Sequence, residues 1–584
     1  MYKRQNLLDL QKKLKEDGLK AYIVPTSDPH ASEYVADRFM SERLYFCPFT
    51  GDAGTLVITQ DNAYLFTDGR FFIQADKELA GEPYVVMKIG QKGVLPLNEF
   101  VKENDLYPLG VNMFNISYSF YNSLVKEGKE ILNKDYAYMI ENRPLLCEDK
   151  ITKVDDSFFS VTADDKIEFV KSELKIANCE ANLITTLDDI AFLLNCRGVD
   201  IACNPVFYSY LYISRSEGTH LFIDKKKIDF ELKGVTVHEY NEIESFLEER
   251  KDVKTLVDES KINARLATIL TNKVNGRNPS YIMKAIKGDV EANNTKDIQV
   301  LDGVAMIKFW DYLYSNLDNN LTEYQLSQKL KEYRLSNERC FDLSFETIAA
   351  VNANAAEMHY SPTAEKSSVV NGDCLELLVD SGGQYFGGTT DTTRTFLLGK
   401  PTEEYKHDYT LTLKSVIALS TSIFLEGSTG QTLDIKAREI MWKEGLDYKC
   451  GTGHGVGYML NVHEGPNGFR YRRVAERDDG DMLVPGMITT VEPGVYKANK
   501  YGIRIENNLL CVPAFENENG TFYKFETITY VPIDTKPLDL SIMTDFEIEW
   551  LNNYHAKVRE VLSEQIEDKH LLDLLNDLTK PIHR

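Results

Sequence analysis

The sequence predicts a multidomain protein of mixed α/β (α+β) class, and three observations support this. The chain has 584 residues, which is too long for one hydrophobic core, and about 100 to 200 residues per domain suggests roughly three domains. A pattern of strands and helices begins near residue 21 and restarts near residue 155, and hairpins alternate with helices beyond residue 290. We therefore expect domains at residues 1–154, 155–287 and 288–584.

The first predicted domain begins with an amphipathic helix in "MYKRQNLLDLQKKLKEDG". A strand follows in "LKAYIVP", where apolar and β-branched residues run into a proline. The segment "AGTLVITQDNAYLFTDGRFFIQADKEL" then predicts a strand, a turn at "QDN", a second strand and a helix. These elements together predict an α/β unit.

The second predicted domain repeats this arrangement. The run "ADDKIEFVKSELKIANCEANLITTLDDIAFLLNC" predicts helix, and "VFYSYLYISRSEGTHLFIDKKKI" predicts two strands around a "SEGT" turn. Residues 63–70, "AYLFTDGR", and 219–226, "THLFIDKK", occupy the same place after each hairpin turn, which suggests a degenerate duplication. A long helical stretch from "NPSYIMKAIKGD" to "DYLYSNL" begins at residue 278 and leads into the third domain.

The amino-acid composition indicates which classes of binding partner are unfavourable. The 66 Lys and Arg against 90 Asp and Glu give a formal charge of −24, which repels nucleic acid and favours solubility. The nine cysteines form no CxxC pair, so we expect reduced thiols. The amino terminus lacks a signal-peptide pattern, and no run of about 18 uncharged apolar residues follows. We expect a cytoplasmic protein without nucleic acid or membrane partners.

Two aspartates flank a glycine-rich turn in "LELLVDSGGQYFGGTTDTTRTFLLG". Asp380 ends an apolar strand and Asp391 follows across the turn, so a hairpin could bring the two carboxylates side by side. Either aspartate alone could instead cap a turn, which is common beside Gly and Thr. An unpaired carboxylate at the end of a core strand is costly, however, and this favours a bound cation.

Three further polar residues lie in apolar, strand-like runs or among glycines: His454 in "GTGHGVG", Glu492 in "ITTVEPGVY" and Glu506 in "YGIRIENNLLCV". With the two aspartates, four carboxylates carry −4, and two divalent cations would balance this charge. Carboxylate ligation with one imidazole and no thiolate favours Mn²⁺ over a structural Zn²⁺ site, although Co²⁺ or Zn²⁺ could also bind. Two such ions support hydrolysis without a protein nucleophile.

The five motifs "VDSGGQY", "TTDTTRT", "GTGHGVG", "TVEPGVY" and "GIRIEN" resemble, in this order, the metal-binding pentad of the pita-bread metallopeptidases. That group contains methionine aminopeptidase, prolidase and aminopeptidase P. The segments "HYSP", "NVHEGP" and "LSIMTDFEIEWLNNYH" resemble the long cytosolic aminopeptidases P, and "FTGDAGTLVIT", "LFTDGRFF" and "NPVFYSY" resemble their two tandem creatinase-like N-terminal domains. The resemblance implies these two α/β domains followed by a C-terminal pita-bread catalytic domain.

This resemblance also implies an activity: release of the first residue from peptides whose second residue is proline. Asp380 would bind one ion, Asp391 and Glu506 would bridge both ions, and His454 and Glu492 would complete the second site. Glu492 would also move a proton during attack by water. His359 and His463 match family histidines that bind substrate and donate to its carbonyl oxygen, although core or turn histidines are the alternative.

Three further residues are assigned to the substrate side by the resemblance. Arg70 matches an arginine that reaches the substrate from the first domain, although a surface arginine after a turn is the alternative. Arg504 is expected to orient carboxylates by charge-assisted hydrogen bonds. Cys450 stands where these enzymes usually carry a substrate-contacting histidine, and a thiol is a weaker, uncharged donor. A ligand role for Cys450 is the remaining alternative.

Two other functions stay open beside the aminopeptidase. A prolidase would cleave free Xaa-Pro dipeptides in a closed pocket, and some pita-bread domains bind proteins without catalysis. Modules of the second kind typically lose metal ligands, whereas all five are present here. The resemblance further implies a homodimer.

Overall fold

The computed structural model describes residues 2–472 and 480–584. The chain forms two compact units, one comprising Met1–Asp156 with Val161–Tyr281 and the other comprising Ser157–Ser160 with Ile282–Arg584. We call them unit 1 and unit 2. The division into three domains at residues 154 and 287 stays a prediction.

Unit 1 contains two six-stranded sheets flanked by helices. The first sheet has the order β4-β3-β2-β1-β5-β6, and its segment of the chain contains α1 (Arg4–Glu16), β1 (Ala21–Pro25), α2 (Asp37–Phe46), β2 (Thr55–Thr59), β3 (Ala63–Thr67), α3 (Phe72–Glu78), β4 (Tyr84–Lys88), α4 (Leu97–Glu103), β5 (Leu109–Val111), α5 (Tyr118–Leu124) and β6 (Ile131–Asn133). The predicted first helix, strand, hairpin and following helix are confirmed by α1, β1, β2, β3 and α3.

The second sheet of unit 1 has the order β12-β11-β10-β8-β13-β14. Its segment contains β7 (Thr152–Lys153), α6 (Ala163–Ile176), β8 (Ala181–Ile184), α7 (Leu187–Leu193), β9 (Cys196–Arg197), β10 (Tyr210–Ser214), β11 (Gly218–Phe222), β12 (Val235–His238), α8 (Ile243–Glu248), β13 (Thr255–Val257), α9 (Ala264–Ile269) and β14 (Lys273–Asn275).

The two sheets of unit 1 share one topology. In each, the first strand pairs antiparallel with the second, the second with the third, and the remaining neighbours pair in parallel. The matching hairpins support the suggested duplication. The continuous helix predicted over residues 163–196 is wrong in its centre, where β8 is a fully buried central strand. Tertiary burial on both faces overrides the local pattern there.

Unit 2 carries the long helices and the hairpins expected for the third domain. After α10 (Pro279–Ala285) its elements are α11 (Asp289–Ser315), β15 (Leu321–Thr322), α12 (Glu323–Leu335), β16 (Cys340–Leu343), β17 (Ile348–Val351), β18 (Val369–Val370), β19 (Glu376–Ser381), β20 (Gly383–Tyr385), β21 (Gly388–Thr389), β22 (Thr392–Leu397), α13 (Glu403–Ser420), β23 (Ile423–Leu425), α14 (Gly430–Lys443), β24 (Gly453–Gly455), β25 (Glu464–Phe469), β26 (Ile488–Val491), β27 (Gly494–Lys497), β28 (Tyr501–Arg504), β29 (Asn507–Asn517), β30 (Gly520–Thr527), α15 (Asp545–Ser563) and α16 (Lys569–Leu578).

Two antiparallel sheets form the centre of unit 2. One has the order β17-β19-β22, and the other has the order β23-β30-β29-β26-β24-β25. Apolar residues of α11 and α12 pack with β19 and β22, whereas α13, α14 and α15 pack with the six-stranded sheet. Helices thus cover the apolar faces of both sheets. The two sheets meet at polar strand ends, where the backbone N–H of Glu506 donates to the carbonyl oxygen of Thr393 at 3.1 Å.

Two further features of the described residues bear on the sequence-based expectations. None of the helices in residues 2–472 and 480–584 is long and apolar enough to cross a membrane. All nine cysteines are free thiols.

Candidate metal centre

The five predicted ligands lie on neighbouring strands or directly beside them. Asp380 is in β19, and Asp391 immediately precedes β22, the antiparallel partner of β19. A small hairpin, β20 and β21, is inserted between them and pairs with β16. His454 is in β24, Glu492 directly follows β26, and Glu506 lies between β28 and β29.

The structure brings the side chains of these residues together. The Nε2 atom of His454 lies 3.3 Å from Oδ2 of Asp391 and 3.4 Å from Oε1 of Glu492. Asp391, His454 and Glu506 each offer one ligand atom, and these atoms lie within 4.8 Å of one another. Two carboxylates and an imidazole therefore converge on a single point.

The imidazole of His454 is held in one orientation. Its Nδ1 lies 2.9 Å from the carbonyl oxygen of Gly455, so Nδ1–H donates to that oxygen and Nε2 faces the carboxylates. A metal-binding histidine commonly donates its other ring N–H in this way. Thr490 Oγ1 accepts from the His454 backbone at 3.1 Å and donates to Glu492 Oε1 at 3.3 Å. The hydroxyl of Thr490 thus holds both His454 and Glu492 in place.

Arg504 organises the other side of the cluster. Its Nη2 donates to Asp380 Oδ2 at 2.6 Å, and its Nε donates to Thr393 Oγ1 at 3.1 Å. The Thr393 hydroxyl in turn donates to Glu506 Oε2 at 2.9 Å, and Arg504 Nη1 donates to the hydroxyl of Tyr496 at 2.8 Å. One guanidinium therefore contacts Asp380 directly and Glu506 through the hydroxyl of Thr393.

The buried negative charge of the clustered carboxylates favours binding of a cation. Burial, and after it the negative charge of neighbouring carboxylates, raises the pKa of Asp391 and of Glu506 well above their ordinary values. Burial also raises the pKa of Glu492, which His454 and Arg504 only partly oppose. Asp380 Oδ1 is buried without a hydrogen-bond partner. Crowded oxygen donors with one imidazole fit hard divalent cations, so the residues present fit the predicted metal site.

The two substrate-side histidines differ in how firmly the structure ties them to this cluster. The imidazole of His463 lies edge-on to that of His454, with ring centroids 4.3 Å apart and planes at 75°. His359 is half-buried in the turn that follows a 3-10 helix, Asn352–Ala356, after β17. The side chain of His463 therefore lies beside His454, and the substrate roles of both His463 and His359 stay predictions.

Cys450 and Arg70 occupy very different surroundings. Cys450 is half-buried four residues before His454, and burial, followed by the charge of Glu492, raises the pKa of its thiol to about 12. The thiol is therefore protonated and neutral near pH 7. Arg70 belongs to unit 1, where Nε and Nη2 donate to the carboxylate of Asp68 at 2.9 and 2.8 Å. Its substrate role stays a prediction.

Three residues that hydrogen-bond to the clustered side chains are not predicted from the sequence: Thr393, Thr490 and Tyr496. Thr393 is two residues beyond Asp391, and alternate residues share a face of a strand, so its place was open to prediction. Thr490 likewise lies two residues from Glu492, but on its N-terminal side. The hydrogen bond to Tyr496 had no such signal, because it depends on the pairing of β27 with β28.

Comparison with known proteins agrees with this arrangement. The model of metallopeptidase family M24 matches residues 294–513, and its C-terminal region matches 521–582. Models of the creatinase/prolidase N-terminal domain match residues 7–142 and 142–291. The chain is thus similar to this family over almost its whole length.

Individual relatives are similar over the same span. Aminopeptidase P2 of Arabidopsis thaliana is 35% identical over 97% of this chain and 86% of its own length. Xaa-Pro aminopeptidase 1 of Dictyostelium discoideum is 35% identical over 97% of this chain and 95% of its own length. The crystal structure of X-prolyl aminopeptidase from Caenorhabditis elegans, described as a cytosolic enzyme with a di-nuclear active site, superimposes with a TM-score of 0.93 at 31% identity, covering 99% of this chain and 100% of that one.

The two creatinase-type domains and the pita-bread catalytic domain predicted from the sequence are therefore confirmed. Full-length identity above 30%, the matching domain models and the convergent carboxylates lead to one conclusion. This chain belongs to the Xaa-Pro aminopeptidase branch of metallopeptidase family M24.

Proposed function

We propose that this chain removes the N-terminal residue from peptides whose second residue is proline, with two divalent metal ions, Mn²⁺ by preference, as cofactors. The observation that carries the proposal is the convergence of Asp391, His454 and Glu506 within 4.8 Å in a chain of this family. The scissile Xaa-Pro bond is a tertiary amide without an N–H. Hydrolysis of this bond therefore requires a peptidase that does not need a hydrogen bond from the scissile amide N–H.

The five clustered residues would hold the metal ions. Asp380 would hold one ion, His454 and Glu492 would hold the other, and Asp391 and Glu506 would contribute to both. The hard oxygen donors favour Mn²⁺, although the chemistry of the site also accepts Co²⁺ or Zn²⁺. Bound divalent ions supply Lewis acidity, which lowers the pKa of water and polarises a carbonyl group.

The remaining chemistry falls to side chains of the protein. Glu492 Oε1 accepts the proton that attacking water loses, and the same carboxyl can return it to the departing proline nitrogen. His463, beside His454, donates to the carbonyl oxygen of the scissile bond as negative charge develops there. His359 is proposed as a second donor, and Arg70 as a further contact to the peptide. Cys450 borders the peptide site without donating strongly.

A comparison of three peptides tests this function. With Mn²⁺ present, we expect release of the first residue from Arg-Pro-Pro and much slower cleavage of an otherwise identical Arg-Ala-Pro. Gly-Pro serves as the dipeptide control. Cleavage of the dipeptide alone would indicate a prolidase, and no cleavage of any peptide by metal-loaded protein would indicate a binding module. Either outcome would overturn the proposal.

The assembly and location of the protein are proposed on family likeness. We propose a homodimer in the cytoplasm, in keeping with the description of the C. elegans enzyme as cytosolic. The formal charge of −24 also disfavours nucleic acid as a partner. Sedimentation equilibrium distinguishes a dimer from the 66.6 kDa monomer.

A further inference from the structure

The segment that joins the two clustered histidines has an unusual backbone. Residues 456–462, which we call the histidine loop, connect His454 in β24 to His463 and contain no helix or strand. Within the loop, Met459 has a φ of 51°, in the left-handed region that residues other than glycine rarely adopt. Such a conformation persists only where surrounding contacts impose it.

Some of these contacts come from the hairpin between Asp380 and Asp391. The carbonyl oxygen of Leu460, in the middle of the histidine loop, accepts from Gln384 Nε2 at 2.9 Å and from Thr389 Oγ1 at 3.3 Å. Gln384 lies in β20 and Thr389 in β21. The loop is therefore tied to the hairpin that is inserted between the two candidate aspartate ligands.

Tyr458 ties the loop to a second segment of unit 2. Its hydroxyl donates to the carbonyl oxygen of Phe158 at 2.8 Å and accepts from Asn294 Nδ2 at 3.0 Å. Its ring packs edge-on against Phe159, with centroids 6.0 Å apart. Tyr458 is only 6% exposed, so a hydroxyl left without these partners would be costly.

The segment Ser157–Ser160 that receives Tyr458 is itself fixed. The backbone N–H of Ser160 donates to Glu291 Oε1 at 2.9 Å, and its Oγ accepts from Val290 N at 3.2 Å. A Cβ on Gly288 would lie 2.2 Å from Ser160 Oγ, so the close approach requires glycine. The carbonyl that Tyr458 binds is thus held against the beginning of α11.

The far end of the loop is anchored by a buried ion pair. Lys287 Nζ binds the carboxylate of Glu464, the residue that follows His463, and both side chains are almost wholly buried. The backbone of Lys287 donates to Gly486 O at 3.0 Å, and Glu464 pairs with Gly455 across β24 and β25. The backbone on both sides of His463 is therefore held by side chains outside the metal cluster.

We propose that Tyr458 and Lys287 are positioning residues for His463: they fix the loop that aims its imidazole beside His454. The proposal rests on the role of His463 as a substrate donor given above. The competing explanation is that both contacts only stabilise the fold. The two explanations differ in what happens once His463 is removed, because a positioning residue has nothing left to position.

A double-mutant cycle makes this distinction. Tyr458→Phe keeps the ring and removes the hydroxyl, and we expect it to lower kcat on Arg-Pro-Pro about tenfold with KM changed less than about twofold. In a His463→Ala background the same substitution should change kcat by less than about twofold. Equal effects in both backgrounds, or no effect in the wild type, would overturn the proposal.

Matched controls separate positioning from general destabilisation. Tyr409→Phe removes a buried hydroxyl that donates to Asp534 O at 2.9 Å, away from the histidine loop, and should leave kcat within about twofold. Lys287→Met with Glu464→Gln removes the ion pair without leaving a lone buried charge, and should reproduce the Tyr458→Phe phenotype. Unchanged kinetics in that double variant would overturn the part assigned to Lys287.

A structural readout does not depend on activity. In crystals of Tyr458→Phe we expect the ring of His463 to move from its position 4.3 Å from the centroid of His454, while His454 and the metal content stay as in the wild type. An unmoved His463, or lost metal, would contradict the proposal even if the wild-type protein cleaves Xaa-Pro peptides. A wild-type protein that fails to cleave them would contradict the proposed function instead.

Discussion

Arg504 and Asp380 form a buried ion pair in which Nη2 donates to Oδ2 at 2.6 Å. The same guanidinium reaches Glu506 through the hydroxyl of Thr393. Arg504 therefore compensates part of the charge that the carboxylates accumulate and fixes the direction of their lone pairs. Its removal should weaken the site without removing a ligand.

We predict that Arg504→Met lowers metal affinity about 10-fold to 100-fold, the usual cost of losing such a support. Calorimetric titration of metal-free protein with Mn²⁺ measures this. Arg504→Lys retains the charge but not the planar fork, so its affinity should fall between that of the wild type and that of the methionine variant. Wild-type affinity in Arg504→Met would show that the ion pair does not support the metal site.

The sequence revealed the cluster because each ligand stands in a short, distinctive motif. Asp380, Asp391, His454, Glu492 and Glu506 are all predicted, and the structure brings them together. The support from Tyr496 had no sequence signal, since it depends on how β27 pairs with β28. Long-range pairing of this kind is set by tertiary packing and is invisible to local patterns.

Local patterns also failed at one strand of unit 1. The run "CEANLITT" was expected to be helical, yet Ala181–Ile184 form a buried strand at the centre of the second sheet. A short apolar run without alternation is compatible with either structure, and only its neighbours decide. The repeated hairpins flanking it were predicted because alternation and turn residues coincide there.

A second prediction concerns Cys450, at the position where the family resemblance implies a histidine. Its thiol is neutral near pH 7, because burial and the charge of Glu492 raise its pKa to about 12. We predict that Cys450→His lowers KM for Arg-Pro-Pro several-fold by adding a stronger donor. Steady-state kinetics measure the change, and Cys450→Ser, which keeps a small neutral side chain, should resemble the wild type.

Metal analysis of the two Cys450 variants supplies the counter-test. The thiol is not among the proposed ligands, so both variants should retain the metal content of the wild type. A marked loss of metal in Cys450→Ser would mean that the thiol is a ligand, and the assigned pentad would be wrong.

A third prediction concerns Glu376, a carboxyl wholly buried in β19. Burial raises its pKa to about 8, and neither carboxyl oxygen has a hydrogen-bond partner among the residues that the structure describes. The unfolded chain loses this proton near its ordinary pKa, whereas the folded chain keeps it until about pH 8. The unfolded state therefore binds fewer protons between these values, and stability must fall as pH rises through that window.

We predict that Glu376→Gln removes this fall, which is of the order of a few kcal/mol. The thermal midpoint of the metal-free protein at pH 5 and pH 8 measures it, and the difference between the two should be smaller in the variant. Glu549→Gln, at an exposed position, controls for the loss of a carboxyl group. An unchanged difference in Glu376→Gln would mean that the buried carboxyl is ionised in the folded protein.

The most direct test of a dinuclear aminopeptidase is a metal titration followed by activity. Metal-free protein is titrated with Mn²⁺ while release of arginine from Arg-Pro-Pro is recorded, with Asp391→Asn as the matched variant. We predict that wild-type activity rises to a plateau at about two ions per chain, and that Asp391→Asn, which loses one of the proposed ligand carboxylates, neither binds both ions nor turns over. Activity that needs no metal, or unchanged turnover in Asp391→Asn, would contradict the account.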